Sequence, residues 1–449
     1  MLWIRPGDEE YDEQRALFNA MIDKRPRVIA ACATPADVRT ALDLARTDDL
    51  EVAVRAGGHS VAGMSTNDDG LVIDVRPMRA IEVDPKARRA RVGAGVTWGE
   101  LDRATQEHGL ATTGGRVSST GVAGFTLGGG SGWLERKHGL ACDNLVAVDV
   151  VTADGRELHV DSVHHPDLFW ALHGGGGNFG VATAFELALH PVGPEVAAGL
   201  LVWRAEAAGE VARAFRDWAQ DAPDELGTWL MLLTAPEEDP FPVGLRGHQI
   251  VLVAGMWCGE VEDGLEAFGP IRALLPDLDL VGPMPYCDFQ CILDDVPGNR
   301  HYWSADYHPS LPDEALAVFL RSGASAPSPL AQQIVLPWGG AVARVPDEDT
   351  PMTQRDAAWV SHPFAVWQDP SEDAANIEWV RRFRREIAPY TTGGVYLNFI
   401  GDEGEARIRD AYGAEKYQRL SHVKAEYDPA NVFRGNQNIQ PVKGVSSPG

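Results

Sequence analysis

Three glycine-rich segments most constrain this chain: RAGGHSVAG (55–63), TTGGRVSSTGVAGFTLGGGSG (112–132) and HGGGGNFGVAT (173–183). Glycine has no Cβ, so such segments let backbone N–H groups converge on an anion, and three of them suit a pyrophosphate. None reads G-x-G-x-x-G after a first strand, and no G-x-x-x-x-G-K-[ST] is present, which argues against a Rossmann fold and a P-loop. His59 lies inside the first segment and Cys142 just beyond the second.

The surrounding pattern is mixed. PADVRTALDLAR (35–46) has helical spacing behind a Thr34-Pro35 start, and WGELDRATQEHG (98–109) reads as a helix ending at Gly109. EVAVRA, LVIDV (71–75), IEVD (81–84) and ARVGAGV (90–96) read as short strands, and residues 144–160 as a hairpin around Ala153-Asp154-Gly155. Late in the chain, ARIRDAYGAEKYQRLSHVKAEYD reads as one last helix.

Composition removes several classes of partner. The formal charge of −26 disfavours nucleic acid and anionic membrane, leaving a small-molecule substrate. Five cysteines without a CxxC pair suit a reducing compartment. The N-terminal MLWIRPGDEEYDEQR has acidic residues where a signal peptide needs an apolar core, and the expectation is a cytoplasmic location. No metal site is expected: His164-His165 and Cys287/Cys291 lack partners at ligand spacing.

RAGGHSVAG, GRVSSTGVAGFTLGGGSGWLERKHGLACDNLVAVDVVTADG and GGGGNFGV resemble the FAD-binding half of the berberine-bridge-enzyme-like oxidoreductases. YLNFIGD followed by RLSHVKAEYDPANVFRGNQNI resembles that family's C-terminal signature. The resemblance implies an α+β fold of the vanillyl-alcohol-oxidase (PCMH) type, with a two-subdomain FAD-binding domain over 1–193 (core about 27–193). A substrate domain with an antiparallel sheet backed by helices follows over 194–398, and 399–449 return to the FAD domain.

It further implies FAD attached covalently at two points, to the 8α-methyl carbon through His59 and to C6 through Cys142, as in bacterial bicovalent members. Arg55, Gly57, Gly58, Ser60, Gly115, Ser118, Ser119, Gly121, Gly124, Gly128, Gly129, Val181, Asn398, Asn436 and Asn438 are the other cofactor-binding positions it implies. Tyr396 of Tyr396-Leu397-Asn398 takes the family's catalytic base role in hydride transfer to flavin N5. Where relatives often have Pro-Tyr-Gly-Gly this chain has Pro337-Trp338-Gly339-Gly340, so Trp338 is expected to wall the substrate pocket instead of accepting a proton.

The expected function is hydride abstraction from an alcohol, a sugar hemiacetal or a secondary-metabolite ring, with dioxygen reoxidising the flavin; the resemblance puts Leu145, three places after Cys142, near the oxygen route, where its bulk is expected to slow that step. The alternatives are an amine oxidase, a dehydrogenase with another acceptor, and a flavin-binding protein without turnover.

Overall fold

The computed structural model describes residues 1–442 apart from Val296, Val395, Ile400, Asp402 and Glu403. Parts of the YLNFIGD segment, Ile400 and Asp402, thus lie outside the described residues. The first unit is a four-stranded sheet in which Val28–Ala31, Leu71–Asp74 and Val52–Arg55 run parallel and Leu2–Ile4 joins antiparallel. All four residues of Leu71–Asp74 are buried, as expected of a central parallel strand. Helix Pro35–Thr47 covers it, opened by a capping box between Thr34 and Asp37.

A five-stranded antiparallel sheet follows, with Val181–Ala188 at its centre. Its hairpin pairs Leu145–Val151 with Glu157–Asp161, closed by Thr152 and Arg156, where the Asp-Gly signal put the turn. The first glycine-rich segment leads out of Val52–Arg55, the second contains the helix Val122–Leu127, and the third leads into Val181–Ala188.

From Glu195 the chain builds a nine-stranded antiparallel sheet. Alternation gives it two faces. On Trp359–Trp367, Trp359 faces the helices Ala208–Gln220 and Asp373–Ile387. His362, Phe364 and Val366, of the other parity, face the glycine-rich segments. The expected single last helix is two, Glu405–Tyr412 and Ala414–Tyr427, because Gly413 takes φ of +70° and breaks the ladder. Tyr412, Leu420, Val423 and Phe433 bury into the core of the N-terminal sheets. No helix among the described residues is long and apolar enough to cross a membrane.

Candidate active site

A cavity of about 550 Å³ lies between the glycine-rich segments and the large sheet. Its floor includes Gly57, Gly58, Ser60, Gly115, Gly121, Gly124, Gly128 and, from the third segment, Gly176 and Gly177. Two of these glycines are required by close approach: a Cβ on Gly57 would overlap the amide nitrogen of Gly121 and lie 2.8 Å from its Cα. Gly124 and Gly177 are free of neighbours, so a Cβ at either would project into the cavity.

His59 stands on the cavity wall, its ring stacked on Phe18 at 4.1 Å between centroids and its Nε2 3.0 Å from Ser119 Oγ. Burial lowers its pKa to about 4, so the imidazole is neutral and keeps a lone pair.

The structure does not bring Cys142 to the same place. Cys142 is fully buried and absent from the cavity wall, its amide bonded to Gly129 O and its sulfur 3.9 Å from Met352 Sδ. Burial pushes its thiol well above the ordinary range, which suits a packed small hydrophobe and not a nucleophile. No cysteine is among the described residues that line the cavity with His59. The expected second attachment therefore has no geometric basis. Leu145 falls with it: it is a buried core residue at the start of a strand, away from the cavity.

Tyr396 lies behind the cavity wall and is 1% exposed. Its hydroxyl oxygen accepts from Gly130 N (2.7 Å), Ser131 N (2.8 Å) and Asn398 Nδ2 (3.1 Å). Burial raises its pKa even though all three donors act to lower it. Asn398 does line the cavity, and also donates to Phe125 O at 3.0 Å.

Trp338 is not a cavity wall. It has the parity of Gln332 and Ile334, which do line the cavity, but sits past the end of the strand Gln332–Pro337. There its ring packs between Tyr307 (5.5 Å) and Tyr396 (5.8 Å).

Other expected cofactor positions separate by direction. Arg55 turns away from the cavity and ties the N-terminal segment down, donating to Gln14 O and to Ala16 O at 2.8 Å. Ser118 donates from both N and Oγ to Asp294 at 2.6 Å and is itself absent from the cavity wall. Val181 is buried in the sheet core while its neighbours Gly180 and Ala182 line the cavity. Gly129, at φ +113°, faces Met352 and Tyr396. Asn436 lines the cavity and donates to Gly177 O at 3.2 Å. The side-chain oxygens of Asn436 and Asn438 are buried without a partner among the described residues.

Two residues that sequence patterning passed over complete the site. Arg116 lines the cavity between Trp133 (4.8 Å) and Trp229 (4.2 Å), paired with the buried Glu135 at 3.2 Å. His362 lines it from the sheet, stacked on Phe399 at 4.2 Å. The signals were an arginine within a glycine-rich segment and a histidine on the Phe364/Val366 parity of an apolar strand.

These features fit FAD. A glycine floor in which two Cβ positions would fall in the cavity leaves room for the pyrophosphate and ribityl chain, and the orphaned side-chain oxygen of Asn436, which lines the cavity, calls for a donor.

Comparison with known proteins agrees. A family model described as an FAD binding domain matches residues 26–161, and one described as berberine and berberine like matches 395–440. An uncharacterized FAD-linked oxidoreductase of Bacillus subtilis is 30% identical over 98% of this chain and 97% of its own. The (R)-6-hydroxynicotine oxidase of Paenarthrobacter nicotinovorans is 30% identical over 98% and 96%. Among solved structures, 6-hydroxy-D-nicotine oxidase from Arthrobacter nicotinovorans superimposes with a TM-score of 0.87 at 27% identity, covering 98% of both chains. Fold, site and these matches define an FAD-dependent oxidoreductase. The chain belongs to the berberine-bridge-enzyme-like family of FAD-linked oxidoreductases.

Proposed function

We propose that this enzyme oxidises a ring-bearing alcohol, hemiacetal or amine by hydride removal, with FAD attached through His59 alone and dioxygen as the final electron acceptor. The observation that carries the reading is the neutral His59 on the wall of a glycine-floored cavity that the large sheet covers. A neutral imidazole has the lone pair that a bond to carbon requires, and Ser119 fixes its orientation. FAD, when bound, supplies the two-electron hydride acceptor. Gly57, Gly121, Gly124 and Gly177 would hold its phosphates and chain, and Asn398 and Asn436 would bond its polar edge. The sheet would then exclude water from the substrate side.

A relative whose name specifies hydroxynicotine supports a ring substrate. Mixing the enzyme anaerobically with an alcohol, sugar and amine panel tests the reading. Bleaching of the yellow absorbance by at least one member, followed by fast recovery in aerated buffer, is expected. Bleaching that aerated buffer does not reverse would make it a dehydrogenase with another acceptor. No bleaching by any member would leave a flavin carrier.

A further inference from the structure

We propose that His362 Nε2 takes the proton from a substrate hydroxyl, and that the rest of the substrate is a flat, apolar ring body and not a saccharide. The proposal rests on the oxidoreductase reading above and names the substrate class of the same site.

The covering sheet reaches the cavity through three neighbouring strands in strict alternation: Trp229, Met231 and Leu233, then Gln332 and Ile334, then His362, Phe364 and Val366. Leu200, Leu252 and Trp303 complete it, so among the described residues of the sheet's own strands only Gln332 and His362 bring a polar side chain other than indole to that face. A sugar placed there would leave most of its hydroxyls without partners, at roughly 1–3 kcal/mol for each one buried. A fused aromatic ring would leave none.

His362 is fixed as an acceptor by its surroundings. A carbonyl can only accept, so Nδ1 carries the proton and donates to Ser304 O at 2.8 Å. The ring is 2% exposed and held flat against Phe399 at an interplanar angle of 16°. Nε2 has no partner among the described residues, and the residue lines the cavity. Burial, with a smaller contribution from the Arg116 charge, lowers its pKa to about 4. Arg116 is itself neutralised by Glu135, and Trp303, Phe364 and Phe399 close the remaining sides with uncharged rings.

Such a weak base is sufficient here. As the carbinol hydrogen leaves with its electron pair to the flavin, the C–O bond gains double-bond character, and the hydroxyl proton becomes far more acidic than imidazolium. That proton passes to Nε2, and a carbonyl product and an imidazolium remain. Tyr396, whose oxygen already receives three N–H donors away from the cavity wall, serves to pin the Gly130–Ser131 backbone.

The test uses two probes on the holoenzyme, 2-naphthol for binding and 2-naphthylmethanol for flavin reduction, with cellobiose as the saccharide. By calorimetry 2-naphthol is expected to bind and cellobiose not to. His362→Leu is expected to weaken 2-naphthol about fivefold, the value of one hydrogen bond of about 1 kcal/mol. His362→Gln, which keeps an acceptor, should bind 2-naphthol within about threefold of wild type. It should nevertheless slow anaerobic reduction by 2-naphthylmethanol by on the order of 10² or more and flatten the acid limb of its pH profile. Tyr396→Phe should keep that limb. Cellobiose binding as tightly as 2-naphthol, unchanged 2-naphthol affinity in His362→Leu, or equal reduction by wild type and His362→Gln would each overturn the proposal. Failure of every alcohol, sugar and amine to bleach the flavin would remove the function reading and the proton step together, while the binding arms would still decide the chemistry of the sheet face.

Discussion

Gly57 and Gly121 meet backbone to backbone, so that a Cβ on Gly121 would lie 2.9 Å from the Cα of Gly57 and overlap its amide nitrogen. Backbone cannot yield as a flexible side chain can. Gly57→Ala or Gly121→Ala is therefore expected to destabilise the fold by roughly 1–3 kcal/mol, as overpacking does. Thermal unfolding checks this, and an unchanged melting temperature would contradict the contact.

Gly124 gives the opposite outcome. It sits in the helix Val122–Leu127, and a Cβ there meets nothing within 4 Å except the cavity. Gly124→Val should leave the melting temperature of flavin-free protein at or above that of flavin-free wild type, because glycine is the poorer helix former. The flavin content of purified protein should nevertheless fall several-fold, as read from the ratio of visible to ultraviolet absorbance.

Arg116 and Glu135 form an ion pair whose side chains are 6% and 3% exposed. Arg116→Met keeps much of the stacking on Trp133 and Trp229 but leaves a buried carboxylate with the Gly132 amide and no counter-charge. It is expected to cost about 3–5 kcal/mol, whereas replacing both partners together should cost less. Denaturant unfolding of the single and double variants checks the ordering.

Stability should also fall on mild acidification. Burial holds His308 and His362 at about 4, against 6.5 for a free histidine. Between those values the unfolded chain binds protons that the folded chain refuses, so folded-state stability declines as pH drops from about 6.5 to about 4. The melting temperature should track that decline, more shallowly in His362→Gln. A flat profile over this window would contradict the buried neutral state.

Several of these residues were legible in the sequence and others were not, for a common reason. Glycine position follows from backbone chemistry, so the segments around Gly57, Gly121, Gly124 and Gly177 could be read as a floor, with His59 among them. The hairpin around Asp154-Gly155 was equally local. Side-chain direction is not local. Arg55 and Ser118 lie beside the cavity but turn to Gln14, Ala16 and Asp294. Trp338 has the right parity but lies past the cavity's end, where Tyr396 covers it. Cys142 is next to a glycine-rich segment in sequence and behind it in space. His362 is not legible in the sequence because its meaning depends on the neighbouring strands, which make the rest of that face mostly apolar.

The single attachment proposed for the flavin, through His59 on the wall of the glycine-floored cavity, is open to direct chemical test. Acid precipitation of purified wild-type protein, His59→Ala and Cys142→Ala, followed by mass spectrometry of the flavin-bearing peptide, tests it most directly. The expected result is a yellow wild-type pellet with the flavin mass on the peptide containing His59, free FAD in the supernatant of His59→Ala, and a Cys142→Ala pellet as yellow as wild type. Free FAD released from wild type, or a flavin mass on the peptide containing Cys142, would contradict it.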